Sequence, residues 1–162
     1  MQHVQTRSTT SALVLTAVLI ALATLFTMYT KIPVPGIRGY FNVGDVVIMT
    51  SALLLGRKYG AYIGAIGPAL ADLFLGYAVF VPITFVVKGI EGYLVGTVYN
   101  NKTTTSALVA TIVGGIIIVA GYFIAEYFVF DPGVAIASIL TNTIQAVMSV
   151  IISMILYAIL RK

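Results

Sequence analysis

Two glutamates and a lysine lie within hydrophobic stretches of this sequence, at Lys88, Glu91 and Glu126. An ionised side chain in hydrocarbon costs at least about 2.5 to 3.5 kcal/mol, so such residues usually face a cavity, an opposite charge or a ligand. Lys88 and Glu91 are three positions apart and therefore share one face of a helix. They either neutralise each other in the interior or contribute charges to a binding site.

Glycines flank Glu91 on its helix, at Gly89, Gly92 and Gly96. Because glycine has no side chain, these positions lower the helix surface and allow another group to approach closely. That group is either a ligand or a second helix.

A second polar pair follows in the next apolar stretch. Tyr122 and Glu126 are four positions apart and again share a helix face. An aromatic ring beside a carboxylate suits a flat heterocycle that carries hydroxyl or amino donors. The alternative is a glutamate near the outer end of its helix whose carboxylate reaches water.

Polar residues recur at helical spacing in the last apolar stretch, at Asn142, Gln145 and Ser149. Such residues often hydrogen-bond one membrane helix to another. With glutamates on neighbouring helices, a shared polar cavity is the better interpretation. We therefore predict that Asn142 and Gln145 line a binding site.

An aromatic residue and an amide, Tyr40 and Asn42, lie in a glycine-flanked loop ahead of the second apolar stretch. Surface loops often carry binding residues, and this one could close over a site. Asp45 follows the loop. We predict that its carboxylate caps the N-terminus of the next helix rather than contacting a ligand.

Several kinds of chemistry have no residues to support them. The sequence has no cysteine, and its single histidine, His3, has no companions for a metal site. No glycine-rich phosphate loop is present, so the chain does not bind ATP in the usual way. No nucleophile–base pair is evident either, which argues against an enzyme, and no cofactor is expected.

The composition indicates a membrane protein, since hydrophobic residues make up 60% of the chain and charged residues 9%, against about 25% charged in soluble proteins. A helix needs about 20 apolar residues to cross the bilayer core. Proline, glycine and charged turns divide the chain into six apolar segments, of which the second falls short of that length. We predict an all-α membrane protein, one bundle of six transmembrane helices in a single domain, residues 1–162, with spans at 8–30, 45–56, 61–80, 82–99, 106–128 and 132–160. The charged segment 57–60 is predicted to form a turn, and Pro68 to kink the third span.

The distribution of basic residues predicts the orientation. With six spans both termini lie on one side, and that side carries six basic residues against two, Lys31 and Arg38, on the other. Short loops rich in lysine and arginine face the cytoplasm, so both termini are predicted to be cytoplasmic. The basic residues are scattered over short loops, which argues against nucleic acid as a partner. The six are Arg7, Arg57, Lys58, Lys102, Arg161 and Lys162.

Short motifs along the chain resemble, in the same order, those of the substrate-binding S components of energy-coupling factor (ECF) vitamin transporters. The similarity covers nearly the whole chain and is greatest to the branch that takes riboflavin, hydroxymethylpyrimidine or vitamin B6. The motifs are YFNVGD at 40–45, ALLLG at 52–56, KYG at 58–60, ALAD at 69–72, GY at 76–77, KGIEG at 88–92, GYFIAE at 121–126, and Asn142 with Gln145.

The resemblance implies a six-helix membrane protein that binds a vitamin at its outer face and works with a coupling membrane subunit and two ATPases. It implies that small alanines on the first helix contact the coupling subunit, and Ala17 and Ala21 match that pattern. Their spacing alone favours packing within the bundle. The resemblance also implies a site formed by the first outer loop and the outer parts of spans four to six. The predicted site residues are Tyr40, Asn42, Lys88, Glu91, Tyr122, Glu126, Asn142 and Gln145.

A site of this composition suits a compact pyrimidine or pyridine, such as hydroxymethylpyrimidine or vitamin B6, with riboflavin as the alternative. The absence of tryptophan argues against thiamine. Two other functions stay open: a proton-coupled secondary transporter that uses Glu91 and Glu126, and a structural membrane subunit whose buried charges only pack helices. We expect the chain in the plasma membrane of a prokaryote.

Overall fold

Helices account for most of the residues that the computed structural model describes, which are 9–33, 40–99 and 103–161. Within these ranges the chain forms six helices and one antiparallel pair of two-residue strands. The bounds are α1 Thr9–Tyr29, β1 Ile32–Pro33, β2 Tyr40–Phe41, α2 Gly44–Leu55, α3 Arg57–Phe74, α4 Phe80–Val98, α5 Thr104–Val129 and α6 Pro132–Leu160. The predicted features at His3, Arg7, Arg38, Lys102 and Lys162 lie outside the described residues.

Four of the described helices, α1, α4, α5 and α6, are long and apolar enough to cross a membrane. The fold is therefore that of a multi-pass membrane protein. Helix α2 has only 12 residues and extends about 18 Å, less than the roughly 30 Å of the bilayer core. Its first turn contacts Lys88, about 12 Å along α4 from the start of that helix. Helix α2 thus begins in the interior of the bundle.

The predicted turn at residues 57–60 is wrong, because these residues form the first turn of α3. Gly56 alone separates α2 from α3, with φ of 88°. Glycine adopts positive φ without the steric cost that other residues meet, so one residue suffices to end one helix and begin the next. Pro68 lies inside α3, which continues to Phe74.

Helices α3 and α4 pack with their backbones in close contact. A Cβ atom at Gly60 would lie 2.6 Å from the carbonyl oxygen of Gly92, and one at Gly64 would meet the carbonyl of Lys88. Gly96 faces the backbone of Arg57 in the same way. The sequence predicted that either a ligand or a second helix would approach the glycines of α4. In the structure it is a second helix, α3. We call Gly60, Gly64, Gly92 and Gly96 the glycine contact.

One face of α1 packs on α3. Ala23 is fully buried beside Gly67, and the Thr24 hydroxyl donates a hydrogen bond of 2.9 Å to the Gly67 carbonyl. Ala17 and Ala21, by contrast, are exposed. Packing of these two alanines within the bundle, which their spacing alone favoured, is therefore wrong.

An apolar layer fills the half of the bundle that lies away from β1 and β2. It begins directly beneath Glu91: a Cβ atom at Gly114 would lie 2.6 Å from Val95 Cγ2 and 3.5 Å from Glu91 Cγ. At its other end the hydroxyl groups of Tyr99 and Tyr157 are 2.7 Å apart. The buried members are Met49, Ala52, Leu53, Val95, Ala107, Ala110, Ile118, Ala146 and Tyr157.

Candidate functional site

Asn42 supports the start of α2 from just outside the helix. Its side-chain Oδ1 accepts a hydrogen bond of 2.8 Å from the backbone N–H of Gly44. Gly44 lies so close to α1 that a Cβ atom there would collide with the Thr27 hydroxyl. The predicted capping role of Asp45 is wrong, because its side chain makes no cap hydrogen bond and instead points into the bundle.

Asp45 joins three helices through its two carboxylate oxygens. Oδ1 forms an ion pair with Lys88 of α4, and Oδ2 accepts a hydrogen bond of 2.6 Å from the Gln145 amide of α6. The carbonyl oxygen of the same amide accepts a hydrogen bond of 3.1 Å from the backbone N–H of Asn42. Gln145 therefore holds the start of α2 against α6. All four residues are buried.

Glu91 completes this group from the same face of α4. Its Oε2 lies 3.5 Å from Lys88 Nζ, an ion-pair contact that is long for a hydrogen bond. The side chain is 0% exposed, and neither carboxylate oxygen has a hydrogen-bond partner among the described residues. We call Asn42, Asp45, Lys88, Glu91 and Gln145 the polar cluster.

Tyr122 lies on the other side of Lys88. The ammonium group is 5.4 Å from the centre of the tyrosine ring, within the range of a cation–π interaction. The hydroxyl groups of Tyr122 and Thr84 are 3.0 Å apart. Tyr122 therefore adds an aromatic wall to the polar cluster.

Glu126 does not join the polar cluster. Its carboxylate accepts a hydrogen bond from the Ser138 hydroxyl across the α5–α6 pair, and the side chain is 3% exposed. The alternative in which this carboxylate reaches water is wrong. Burial raises the carboxylate's demand for a partner, and Ser138 meets it.

The remaining predicted site residues are placed differently. Asn142 is half-buried and makes no side-chain hydrogen bond to the described residues, although it lies one turn from Gln145. Ser149 is fully buried and its hydroxyl has no hydrogen-bond partner there. Of Tyr40 only the backbone is described, and it pairs with Pro33.

Sequence reasoning missed two members of the site. Asp45 was assigned to a cap, and Thr84 was not singled out. The available signal for Asp45 was charge: a buried lysine requires an anion, and Asp45 is a carboxylate at the start of an apolar segment. No local pattern points to Thr84.

Two cavities lie away from the polar cluster. A groove of about 550 Å³ between α5 and α6 is lined almost entirely by apolar side chains, among them Ile116, Phe123 and Val147. A smaller cavity of about 280 Å³ at the start of α4 is lined by residues 76–80 and Phe130. Neither has the convergent polar groups that orient a polar ligand, so the polar cluster is the better candidate site.

The family is established by comparison with known proteins. The model of the family "ECF-type riboflavin transporter, S component" matches residues 7–162. The chain belongs to this family of membrane-embedded substrate-binding subunits.

Two relatives show how the similarity extends. An uncharacterized protein of Pyrococcus woesei, located in the gap 3′ region, is 41% identical over 142 residues, covering 86% of this chain and 94% of that protein. The thiamine precursor transporter HmpT of Lactococcus lactis subsp. cremoris is 29% identical over 149 residues, covering 91% of this chain and 83% of the relative.

Two solved structures share the fold. One is the S component of a bacterial ECF transporter, with a TM-score of 0.77 and 20% identity over 94% of this chain and 96% of that one. The other is the S component for biotin from an ECF-type ABC transporter, with a TM-score of 0.65 and 19% identity over 92% of each chain. Both therefore have the same helical architecture as this protein.

Proposed function

We propose that this chain is the vitamin-binding subunit of an ATP-driven ECF importer and that the polar cluster is the core of its vitamin site. The observation that carries the proposal is a buried group of charged and amide side chains, next to Tyr122, that ends abruptly at an apolar layer. Buried charges in a membrane are costly and mark functional sites. A site that is closed on one side can bind a solute but gives it no route across the membrane, as expected of a binding subunit.

The proposed substrate is a small pyrimidine of the hydroxymethylpyrimidine type. The relative HmpT is described as a thiamine precursor transporter, and the cluster is compact and rich in acceptors. Vitamin B6 and riboflavin are the competing substrates within the same family branch.

Transport requires partners in this proposal. The expected partners are a coupling transmembrane subunit and two ATPase subunits, since the sequence carries no nucleotide-binding motif of its own. The exposed Ala17 and Ala21 give α1 a smooth strip, which suits close approach of a helix from the coupling subunit. We propose that the assembly lies in the plasma membrane of a prokaryote, with both termini of this chain in the cytoplasm.

A proton-coupled secondary transporter receives less support. Such a transporter needs polar groups along a route between the two sides. Beneath Glu91 the described residues offer buried hydroxyl groups, such as those of Thr111 and Ser153, but no buried carboxylate or lysine, and Glu126 is already bonded to Ser138.

The test uses the purified protein in detergent or nanodiscs. Mass spectrometry identifies small molecules that copurify, and calorimetry then measures hydroxymethylpyrimidine, pyridoxine, riboflavin and thiamine against the emptied protein. We expect the tightest binding with hydroxymethylpyrimidine. Tighter binding of another vitamin contradicts the proposed substrate, and failure to bind any of them contradicts the proposed function.

A further inference from the structure

We infer that Glu91 is the residue that selects the substrate, by pairing with an amino group and the adjacent ring nitrogen of an aminopyrimidine. The inference rests on the proposed function and goes beyond it by assigning one ligand edge to one side chain. The ligand class is a heterocycle with two neighbouring N–H donors rather than one whose edge presents carbonyl oxygens.

The first argument is the hydrogen-bond inventory of the carboxylates. Asp45 uses one oxygen on Lys88 and the other on Gln145, and Glu126 bonds to Ser138. Glu91 alone among these three acids has both oxygens without a hydrogen bond from the described residues, at 0% exposure. An unsatisfied buried polar group costs about 1 to 3 kcal/mol, and more when charged. A ligand that donates to both oxygens removes that cost.

The second argument is charge. Within the polar cluster two carboxylates, Asp45 and Glu91, face a single ammonium group on Lys88. With all three ionised the cluster carries one excess negative charge in the buried interior. A ligand that brings one proton or one positive charge balances the cluster, whereas an anionic ligand does not.

The third argument is shape. A carboxylate pairs best with two parallel N–H donors, as it does with a guanidinium group. An aminopyrimidine protonated at the ring nitrogen beside its amino group presents such a pair. The ionised Glu91 carboxylate accepts both of these hydrogen bonds and cannot donate one to an oxo group. Flavin and pyridine vitamins lack this amino-substituted edge.

The position of the Glu91 side chain is set by packing against α5. The Glu91 side chain runs beside Gly114, where its Cγ lies 3.5 Å from the place a Cβ atom would occupy. Lys88 makes its closer ion pair with Asp45, and its ammonium group lies 3.5 Å from Glu91 Oε2, which is long for a hydrogen bond. Glu91 is therefore positioned by packing while its oxygens stay available to a ligand.

The experiment compares two ligands in two variants. The ligands are hydroxymethylpyrimidine and its analogue in which an oxo group replaces the amino group. Glutamine can donate to a carbonyl and accept from a ring N–H, so Glu91→Gln is matched in shape to the oxo analogue. Glu126→Gln is the control, because its side chain contacts Ser138 outside the cluster.

The wild-type protein should prefer the amino ligand by about 10- to 100-fold, the range expected for hydrogen bonds to a charged group. In Glu91→Gln the oxo analogue should bind more tightly than it does to wild type, so that the preference falls to near unity. Glu126→Gln should keep the wild-type preference. Improved binding of one ligand is a result that damage to the fold does not produce.

Three results overturn the inference. Equal weakening of both ligands by Glu91→Gln shows a structural role, and loss of preference in Glu126→Gln shows that the effect is not local. If Glu91→Gln does not fold, the affinities of the wild-type protein for the two ligands still test the inference. Equal affinity for the amino and oxo forms excludes selection through the amino-substituted edge of the ring. None of these three results contradicts the proposed function. If hydroxymethylpyrimidine does not bind to the wild-type protein, however, the proposed substrate is wrong.

Discussion

Lys88 of α4 and Asp45 of α2 form a buried ion pair between residues that are 43 positions apart in sequence. This contact fixes where the short helix α2 begins, because its first turn is held at the middle of α4. It also leaves Glu91, three residues from Lys88, as the carboxylate without a hydrogen bond. The fold and the binding site therefore share one lysine.

Removing that lysine should be strongly destabilising. In Lys88→Met two buried carboxylates remain without a cation, and breaking a buried pair in this way costs about 3 to 5 kcal/mol. We expect a clear fall in the thermal unfolding temperature of the protein in detergent. Adding Asp45→Asn to Lys88→Met should recover part of the loss. A double variant less stable than Lys88→Met would contradict the pairing.

Gln145 should matter far more than its neighbour Asn142. Gln145→Leu removes the hydrogen bonds to Asn42 and Asp45, and each buried group left unsatisfied costs about 1 to 3 kcal/mol. Hydrogen exchange at the Asn42 amide should accelerate and vitamin affinity should fall. Asn142→Leu is the matched control and should change stability by less than about 0.5 kcal/mol, as for substitutions away from buried features. Equal effects would place Asn142 in the site and remove the special role of Gln145.

The glycine contact should tolerate no added methyl group at its centre. In Gly92→Ala the new Cβ meets the Gly60 carbonyl, and such overpacking costs about 1 to 3 kcal/mol. Gly89→Ala is the control on the same helix, where the nearest atom is the Ala65 Cβ at 3.2 Å. That change should be nearly neutral, since alanine's better helix propensity offsets mild crowding. Unfolding temperatures of the two variants should differ accordingly, and equal values would show that α3 and α4 are not in backbone contact.

The two faces of α1 should separate transport from folding. Ala17→Leu with Ala21→Leu adds bulk to the exposed face, so vitamin binding by the isolated subunit should persist while uptake and copurification of the coupling subunit fall. Ala23→Leu, on the buried face beside Gly67, should reduce stability by about 1 to 3 kcal/mol instead. Uptake that survives the double change would show that Ala17 and Ala21 face only lipid.

The proposed orientation can be tested by thiol labelling, because the chain has no native cysteine. A membrane-impermeant maleimide should label Arg38→Cys in intact cells. It should label Thr103→Cys only after the membrane is permeabilised, since that residue follows α4 on the predicted cytoplasmic side. Labelling of both from outside would exclude cytoplasmic termini together with six spans.

Much of this architecture could be predicted because its signals are local. The helix count followed from apolar runs broken by glycine, proline and charge, and the shared face of Lys88 and Glu91 followed from their spacing. The involvement of Gln145 followed from its helical spacing with Asn142 and Ser149 and from the glutamates on the two preceding spans. None of these inferences needed to know which helices are neighbours.

The remaining contacts depend on that missing knowledge. Asp45 looked like a cap because it comes directly after a loop, and only the approach of α2 to α4 makes it the partner of Lys88. Glu126 looked like a site residue because Tyr122 is one turn away, yet Ser138 on the next helix takes its carboxylate. The sequence predicted a turn at the start of α3 because charged residues there resemble a turn. In the structure Gly56 alone separates α2 from α3.

The glycine contact has a consequence for how such proteins diversify. Because α3 meets α4 through backbone atoms, their crossing depends on the absence of side chains rather than on the identity of any. Glu91 faces Gly114 of α5 rather than α3, so its side chain can change without moving α3 against α4, whereas Lys88 is tied to Asp45. Substrate preference can therefore change at Glu91 while the backbone contact between α3 and α4 keeps the helix that carries it in place.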